Sequence, residues 1–119
     1  MIIQSFLTIQ NQIKVLHWQT TSYAAHKALG KAYDSLDALM DQFVEVYAGG
    51  DRGILKVDSL STKCHGIEAV KPMDFIDSVE KFISGKLSES IPEERTDLHN
   101  IKDEMLSVVN HTRYLLNLQ

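Results

Sequence analysis

Apolar residues in this chain recur at alternating spacings of four and three in four separate stretches. An α-helix turns about every 3.6 residues, so this spacing gives each stretch one apolar stripe along a helix. The stripes predict helices over residues 2–20, 23–48 and 71–87, and a fourth that begins at Ser90 and ends near 117. In the fourth helix the predicted stripe consists of Leu98, Ile101, Met105, Val108, Thr112 and Leu115.

The segments between these helices predict two short turns and one long connection. Thr20, Thr21 and Ser22 supply hydroxyls for a turn and a helix cap. Residues 90–93, Ser-Ile-Pro-Glu, have the pattern of a capping box with Pro92 in the first turn. Residues 48–66 begin with a glycine-rich break and contain one short helix at most. A long connection allows the second and third helices to run parallel, so we predict one all-α domain over 1–119, a ferritin-like four-helix bundle.

Composition argues against several classes of function. The net charge is −4 and the twelve basic residues are scattered, whereas a nucleic-acid surface needs clustered lysine and arginine. No apolar run approaches the roughly 20 residues that span a bilayer, and the first residues lack the features of a signal peptide. The single cysteine, Cys64, suits a reducing compartment. We therefore expect a cytoplasmic protein with no nucleic-acid or membrane partner.

Two histidines and two carboxylates between residues 17 and 45 form the most informative pattern. They are His17, His26, Asp41 and Glu45. Imidazole and carboxylate ligands together suit iron, manganese or zinc. Each feature alone has an ordinary explanation, because single histidines are commonly structural and acidic helix flanks are commonly solvated. Asp41 and Glu45 are four residues apart and share one helix face, so the combination indicates a metal site.

The positions of these residues indicate a site shared between chains. His17 lies near the end of the first helix and His26 near the start of the second, at the same end of a helical hairpin. Asp41 comes 15 residues after His26, which is about 22 Å along a straight helix. One chain therefore cannot bring all four groups to one ion. A two-fold homodimer would form two such sites, each with histidines from one chain and carboxylates from the other.

The same residues resemble a known motif. It consists of His17-Trp18, His26, Asp41-x-x-x-Glu45 and Gly49-Gly50. This pattern resembles the Dps proteins, the mini-ferritins also called DNA-binding proteins from starved cells, and especially their small phage and bacterial members. The matching residues are concentrated in residues 13–50. The resemblance implies an inter-subunit ferroxidase centre at which peroxide or oxygen oxidises Fe(II), with ferric oxide stored if the assembly encloses a cavity.

The resemblance also implies a role for Trp18 and an assembly. Trp18 would quench oxidising equivalents beside the metal, and its ordinary alternative role is an interface anchor. The implied metal is iron, with zinc or manganese as alternatives. The implied partner is a second copy of the chain, and assembly beyond the dimer stays open. The chain lacks the basic tail that some members use to bind DNA.

The sequence lacks the ligand patterns of two other metal-site types. Di-iron bundles within one subunit need Glu-x-x-His pairs, and no histidine here follows a glutamate by three residues. Cys64-His65 has no second ligand pair at zinc-site spacing. The alternative function is a non-catalytic dimeric helical module that has the fold without the iron chemistry.

Overall fold

The computed structural model describes residues 2–50 and 55–118, and four helices account for most of them. They are α1 (Ile2–Gln19), α2 (Tyr23–Gly50), α3 (Pro72–Phe82, continued by a π-helical turn at Ile83–Leu87 and by Ser88–Ser90) and α4 (Thr96–Leu116). Over these described residues, the prediction of an all-helical structure with four helices is confirmed. Within the described ranges, no helix is both long enough and apolar enough to cross a membrane.

The predicted apolar stripes form the core. One cluster contains buried apolar residues from all four helices, and in it the rings of Phe6 and Phe43 meet edge to face at 5.5 Å. In α4 the predicted stripe is wrong at two positions, because Val109 and Leu116 are buried where Val108 and Leu115 were expected. Spacings of three and four residues both fit a helix of about 3.6 residues per turn. The pattern alone therefore does not show which of the two spacings follows Met105.

Neighbouring helices run antiparallel. A three-residue turn joins α1 to α2, so the chain reverses there. Arg95, just before α4, donates from Nη2 to the carbonyl oxygen of Val46 near the end of α2 (3.3 Å). Arg113 near the end of α4 pairs with Asp77 near the start of α3 at 2.9 Å. These contacts make α2 antiparallel to α4 and α4 antiparallel to α3, so α2 and α3 run parallel.

The connection between α2 and α3 returns along α1. Side chains of α1 hold it by hydrogen bonds that join Asn11 to Thr62, Gln12 to His65 and Gln19 to Ile67. The buried Gln12 amide makes two of these bonds, donating to the His65 carbonyl (2.8 Å) and accepting from the His65 amide (2.7 Å). The connection therefore crosses to the opposite end of the structure, where α3 begins.

The end of α2 differs from the prediction. The break was expected at Gly49 and Gly50, yet both glycines are helical; the rest of the predicted break, residues 51–53, lies outside the described residues. A Cβ at Gly50 would lie 2.6 Å from Nη1 of Arg95. The guanidinium of Arg95 therefore packs against this end of α2 while it binds the Val46 carbonyl, which holds the last turn in place.

The predicted capping box at residues 90–93 is wrong. The hydroxyl of Ser90 donates backward to the carbonyl oxygen of Leu87 (2.7 Å), so Ser90 ends α3. The amide of Arg95 then donates to the carbonyl of Pro92 (3.0 Å) in a turn, and α4 starts at Thr96. A serine hydroxyl can bind a preceding carbonyl as readily as a following amide, and here the π-helical turn carries α3 on to Ser90.

Candidate metal centre

The turn between α1 and α2 places His17 opposite His26. The hydroxyl of Ser22 accepts from the amide of Ala25 (3.1 Å), which is the expected N-cap bond. The hydroxyl of Thr20 accepts from the amide of Ser22 (3.2 Å). The predicted roles of these two hydroxyls in the turn and cap are confirmed. The turn is short and fixed by side chains, so the two histidines face each other across the hairpin.

The imidazoles of His17 and His26 are stacked and bonded reciprocally. Their ring centroids are 3.9 Å apart and their planes differ by 14°. Nδ1 of His17 lies 2.7 Å from the carbonyl oxygen of His26, and Nδ1 of His26 lies 2.8 Å from the carbonyl oxygen of His17. A carbonyl oxygen only accepts, so each Nδ1 must carry a proton.

This protonation leaves the other nitrogen of each ring free for a metal. A neutral imidazole has one N–H, so Nε2 of each ring has a lone pair when Nδ1 donates. Metal-binding histidines characteristically donate their other ring N–H to a carbonyl or carboxylate, which fixes the tautomer and the ring orientation. His17 and His26 meet this requirement through each other's backbone.

Gly30 makes room for the His17 ring. A Cβ at Gly30 would lie 2.8 Å from Cε1 and 3.2 Å from Nδ1 of His17, closer than carbon atoms pack. A glycine inside a helix costs about 1 kcal/mol relative to alanine. The side chain that occupies this space is the candidate metal ligand His17.

The two histidines line a pocket of about 600 Å³ between α2 and the end of α4. We call it the histidine pocket. Leu115 in the last turn of α4 and Leu118 just after it line the pocket, and Asp34 adds a carboxylate from α2. The sequence pattern did not identify Asp34 or the end of α4 as parts of this pocket. The signal available for Asp34 was its position eight residues after His26, a little more than two helical turns farther along α2 and on the adjoining part of its surface.

Asp41 and Glu45 form the second part of the candidate site. Both side chains are exposed on α2. A hydrogen bond with Asp41, together with the negative charge of Asp41, raises the pKa of Glu45 above its ordinary value. The two carboxyl groups are thus neighbours on one face of α2, as their four-residue spacing requires. A cation that bound both carboxylates would balance their negative charge.

The structure does not bring all four groups together in one chain. Because α2 is continuous from Tyr23 to Gly50, Asp41 lies about 22 Å along the helix from His26. Asp41 lines a different groove, the α1–α2 groove, together with Ile3, Phe6, Leu7, Gln10, Asp37, Met40 and Val44. No group of three or more histidine, cysteine, aspartate or glutamate side chains that could hold a metal occurs in the described part of the chain. One chain thus presents a histidine pair and a carboxylate pair separately.

Trp18 follows His17 but does not line the histidine pocket. Its side chain is 69% exposed. The ammonium of Lys14 lies 5.9 Å from the Trp18 ring centroid and 4.0 Å from that of Tyr33. Trp18, Lys14 and Tyr33 thus lie together on the outer face of the α1–α2 hairpin.

No curated protein and no solved structure is detectably similar to this chain. Residues 17–116 match a family of unknown function, DUF5856. The match begins at His17 and includes His26, Asp41 and Glu45. It covers most of the 119 residues, so the chain belongs to this family.

Proposed function

We propose that this protein is a Dps-like ferroxidase that oxidises Fe(II) at a site shared between two chains and sequesters the ferric product. The observation that carries the proposal is the reciprocal bonding of His17 and His26. It fixes both Nδ1–H tautomers and leaves each of the two stacked rings with a lone pair on Nε2. The ferritin-like connectivity, with α2 and α3 parallel and one long crossover, also supports it.

The chemistry follows from the two ligand pairs. Neutral imidazole and carboxylate ligands suit Fe(II), which is the substrate here, and zinc or manganese could compete for them. Each Fe(II) gives up one electron to become Fe(III). Peroxide takes one electron from each of two iron ions and is reduced to water with protons from the solvent. The negative charge of Asp41 and Glu45 favours the more highly charged ferric product.

The shared site requires a homodimer. A two-fold axis through the face of the α1–α2 hairpin would bring the histidine pair of each chain to the carboxylate pair of the other. Two equivalent sites would result, and Trp18 of each chain would lie beside one of them. In that position Trp18 could give an electron to excess oxidant and protect the protein.

Anaerobic titration with Fe(II), followed by peroxide or air, tests the proposal. The wild-type protein should develop ferric absorbance, and Asp41→Asn and Glu45→Gln should abolish it because each removes a charged ligand while it keeps the side-chain size. Asp103→Asn is the matched control, since Asp103 is exposed on α4 and pairs with Lys102. Oxidation by the two ligand variants at the wild-type rate would refute the proposal. Bound zinc without iron turnover would favour the non-catalytic dimeric module instead.

A further inference from the structure

We propose that Trp18 anchors the dimer by packing into the α1–α2 groove of a second copy, while Lys14 pairs with Asp37 of that copy. The inference rests on the two-fold arrangement of the proposed function and adds the contacts that hold it together. The surface concerned is the outer face of the α1–α2 hairpin. Its partner is a second copy of this chain.

Two ring contacts fix the register of α1 against α2. His17 stacks on His26 at one end of the hairpin, and Phe6 packs on Phe43 toward the other. Phe43 lies between Asp41 and Glu45 in the sequence, so these carboxylates are level with Phe6 and Leu7 of α1. A two-fold axis that brings His17 to the carboxylates of a second copy therefore brings Trp18 to the level of Phe6, next to the exposed Leu7.

The α1–α2 groove is suited to an aromatic side chain at this level. It has a volume of about 190 Å³, and most of its lining residues are apolar. Leu7, in its wall, is 43% exposed and Trp18 is 69% exposed in the single chain. Aromatic side chains with one polar group are characteristic anchors of protein interfaces. Insertion of Trp18 would cover both exposed side chains at once.

The charges on the same face are also self-complementary. The two-fold axis that brings His17 of one copy to the level of residues 6 and 7 of the other copy also brings Lys14 to the level of Gln10 of that other copy. Gln10 donates from Nε2 to Asp37 (3.3 Å), so Asp37 lies at that level on α2. Lys14 is held on the face by the Tyr33 ring. The rotation therefore places the ammonium of Lys14 against the carboxylate of Asp37 in the second copy, twice per dimer.

Sedimentation of the metal-free protein, combined with tryptophan emission, tests the inference. Trp18 is the only tryptophan, so emission reports on this contact alone. The wild-type protein should sediment as a dimer with blue-shifted emission, and dilution should shift the emission to the red as the dimer dissociates. Leu7→Glu should weaken the dimer at least about tenfold and expose Trp18. Tyr114→Glu, which alters an exposed aromatic residue of α4, should leave both readouts unchanged.

A charge exchange provides a second test that leaves the apolar side chains of the groove unchanged. Lys14→Asp and Asp37→Lys should each weaken the dimer, and the two together should restore it because opposite charges meet again. A dimer that keeps its affinity and blue-shifted emission in Leu7→Glu, or an exchange without rescue, would overturn the inference. This result is separable from failure of the proposed function, which is measured as iron oxidation and depends on Asp41 and Glu45.

Discussion

His17 and His26 each donate a hydrogen bond from Nδ1 to the backbone carbonyl of the other, so each residue fixes the tautomer of its partner. Neutral histidine in water favours the opposite tautomer only slightly, and two bonds of 2.7 and 2.8 Å are ample to reverse it. The hairpin itself thus fixes the tautomer of both imidazoles before any ligand binds.

This reciprocity predicts an NMR signature. In the metal-free protein at neutral pH, long-range proton–nitrogen spectra should show both imidazoles protonated at Nδ1. Substitution of His26 by alanine should remove the stacked ring while the His26 backbone carbonyl remains, so His17 should keep its tautomer. An Nε2–H tautomer for both rings in the wild-type protein would contradict the structure.

Gly30→Ala should weaken metal binding without unfolding the chain. The added methyl would meet the His17 ring at 2.8 Å and displace it from the His26 carbonyl. Loss of a ligand-orienting contact typically reduces metal affinity about 10- to 100-fold. The measurement is calorimetric binding of Fe(II) or Zn(II) under anaerobic conditions.

Gly49→Ala is the matched control for Gly30→Ala. Gly49 is also helical, but a Cβ at this position would have no neighbour within 4 Å. The variant should gain up to about 1 kcal/mol in stability from helix propensity and bind metal as the wild type does. Equal metal affinity in both alanine variants would show that Gly30 does not position His17.

Gln12→Ala should destabilise the fold by about 2–3 kcal/mol in urea denaturation. The substitution removes two hydrogen bonds from a buried amide and leaves the backbone groups of His65 without their partner. Asn11→Ala, which removes one exposed bond to Thr62, should cost less than about 1 kcal/mol. Similar losses for both variants would contradict the assignment of Gln12 as the main attachment of the connection.

The pKa of Glu45 should fall toward its ordinary value in Asp41→Asn, because that variant removes the neighbouring negative charge that raises it. A raised carboxyl pKa means that the folded state holds the proton more tightly than the unfolded state. The contribution of Glu45 to stability is therefore present at low pH and is lost as pH rises through the interval between the two pKa values. Carbon-detected NMR titration measures the shift, and Asp34→Asn should leave it unchanged.

The helices were predictable because their signal is local. Stripes spaced by three and four identified all four helices, and the hydroxyls of Thr20 and Ser22 marked the first turn. The start of α4 was missed because the Ser90 hydroxyl has acceptors on either side, and only the packed structure shows that it donates to Leu87. The glycines at the end of α2 were misread because Arg95, which supports them, is distant in sequence.

The candidate site was only partly predictable. Residue types and spacing identified His17, His26, Asp41 and Glu45, and helix geometry separated them into two pairs. The reciprocal bonds of the histidines depend on the conformation of the turn, which spacing does not specify. Gln12 gave no signal, since a glutamine within a helix is ordinarily on the surface and its partner is a backbone group 53 residues away.

Because His26 and Asp41 belong to one uninterrupted helix, α2 fixes the distance and the angle between the two halves of the proposed site. Insertion of one residue between them would rotate the carboxylates by about 100° around the helix and turn them off the dimer face. Insertion of seven residues, about two turns, would keep the face and lengthen the spacing by about 10 Å. The connection between α2 and α3 can therefore change in length more freely than the 15-residue interval between His26 and Asp41 in α2.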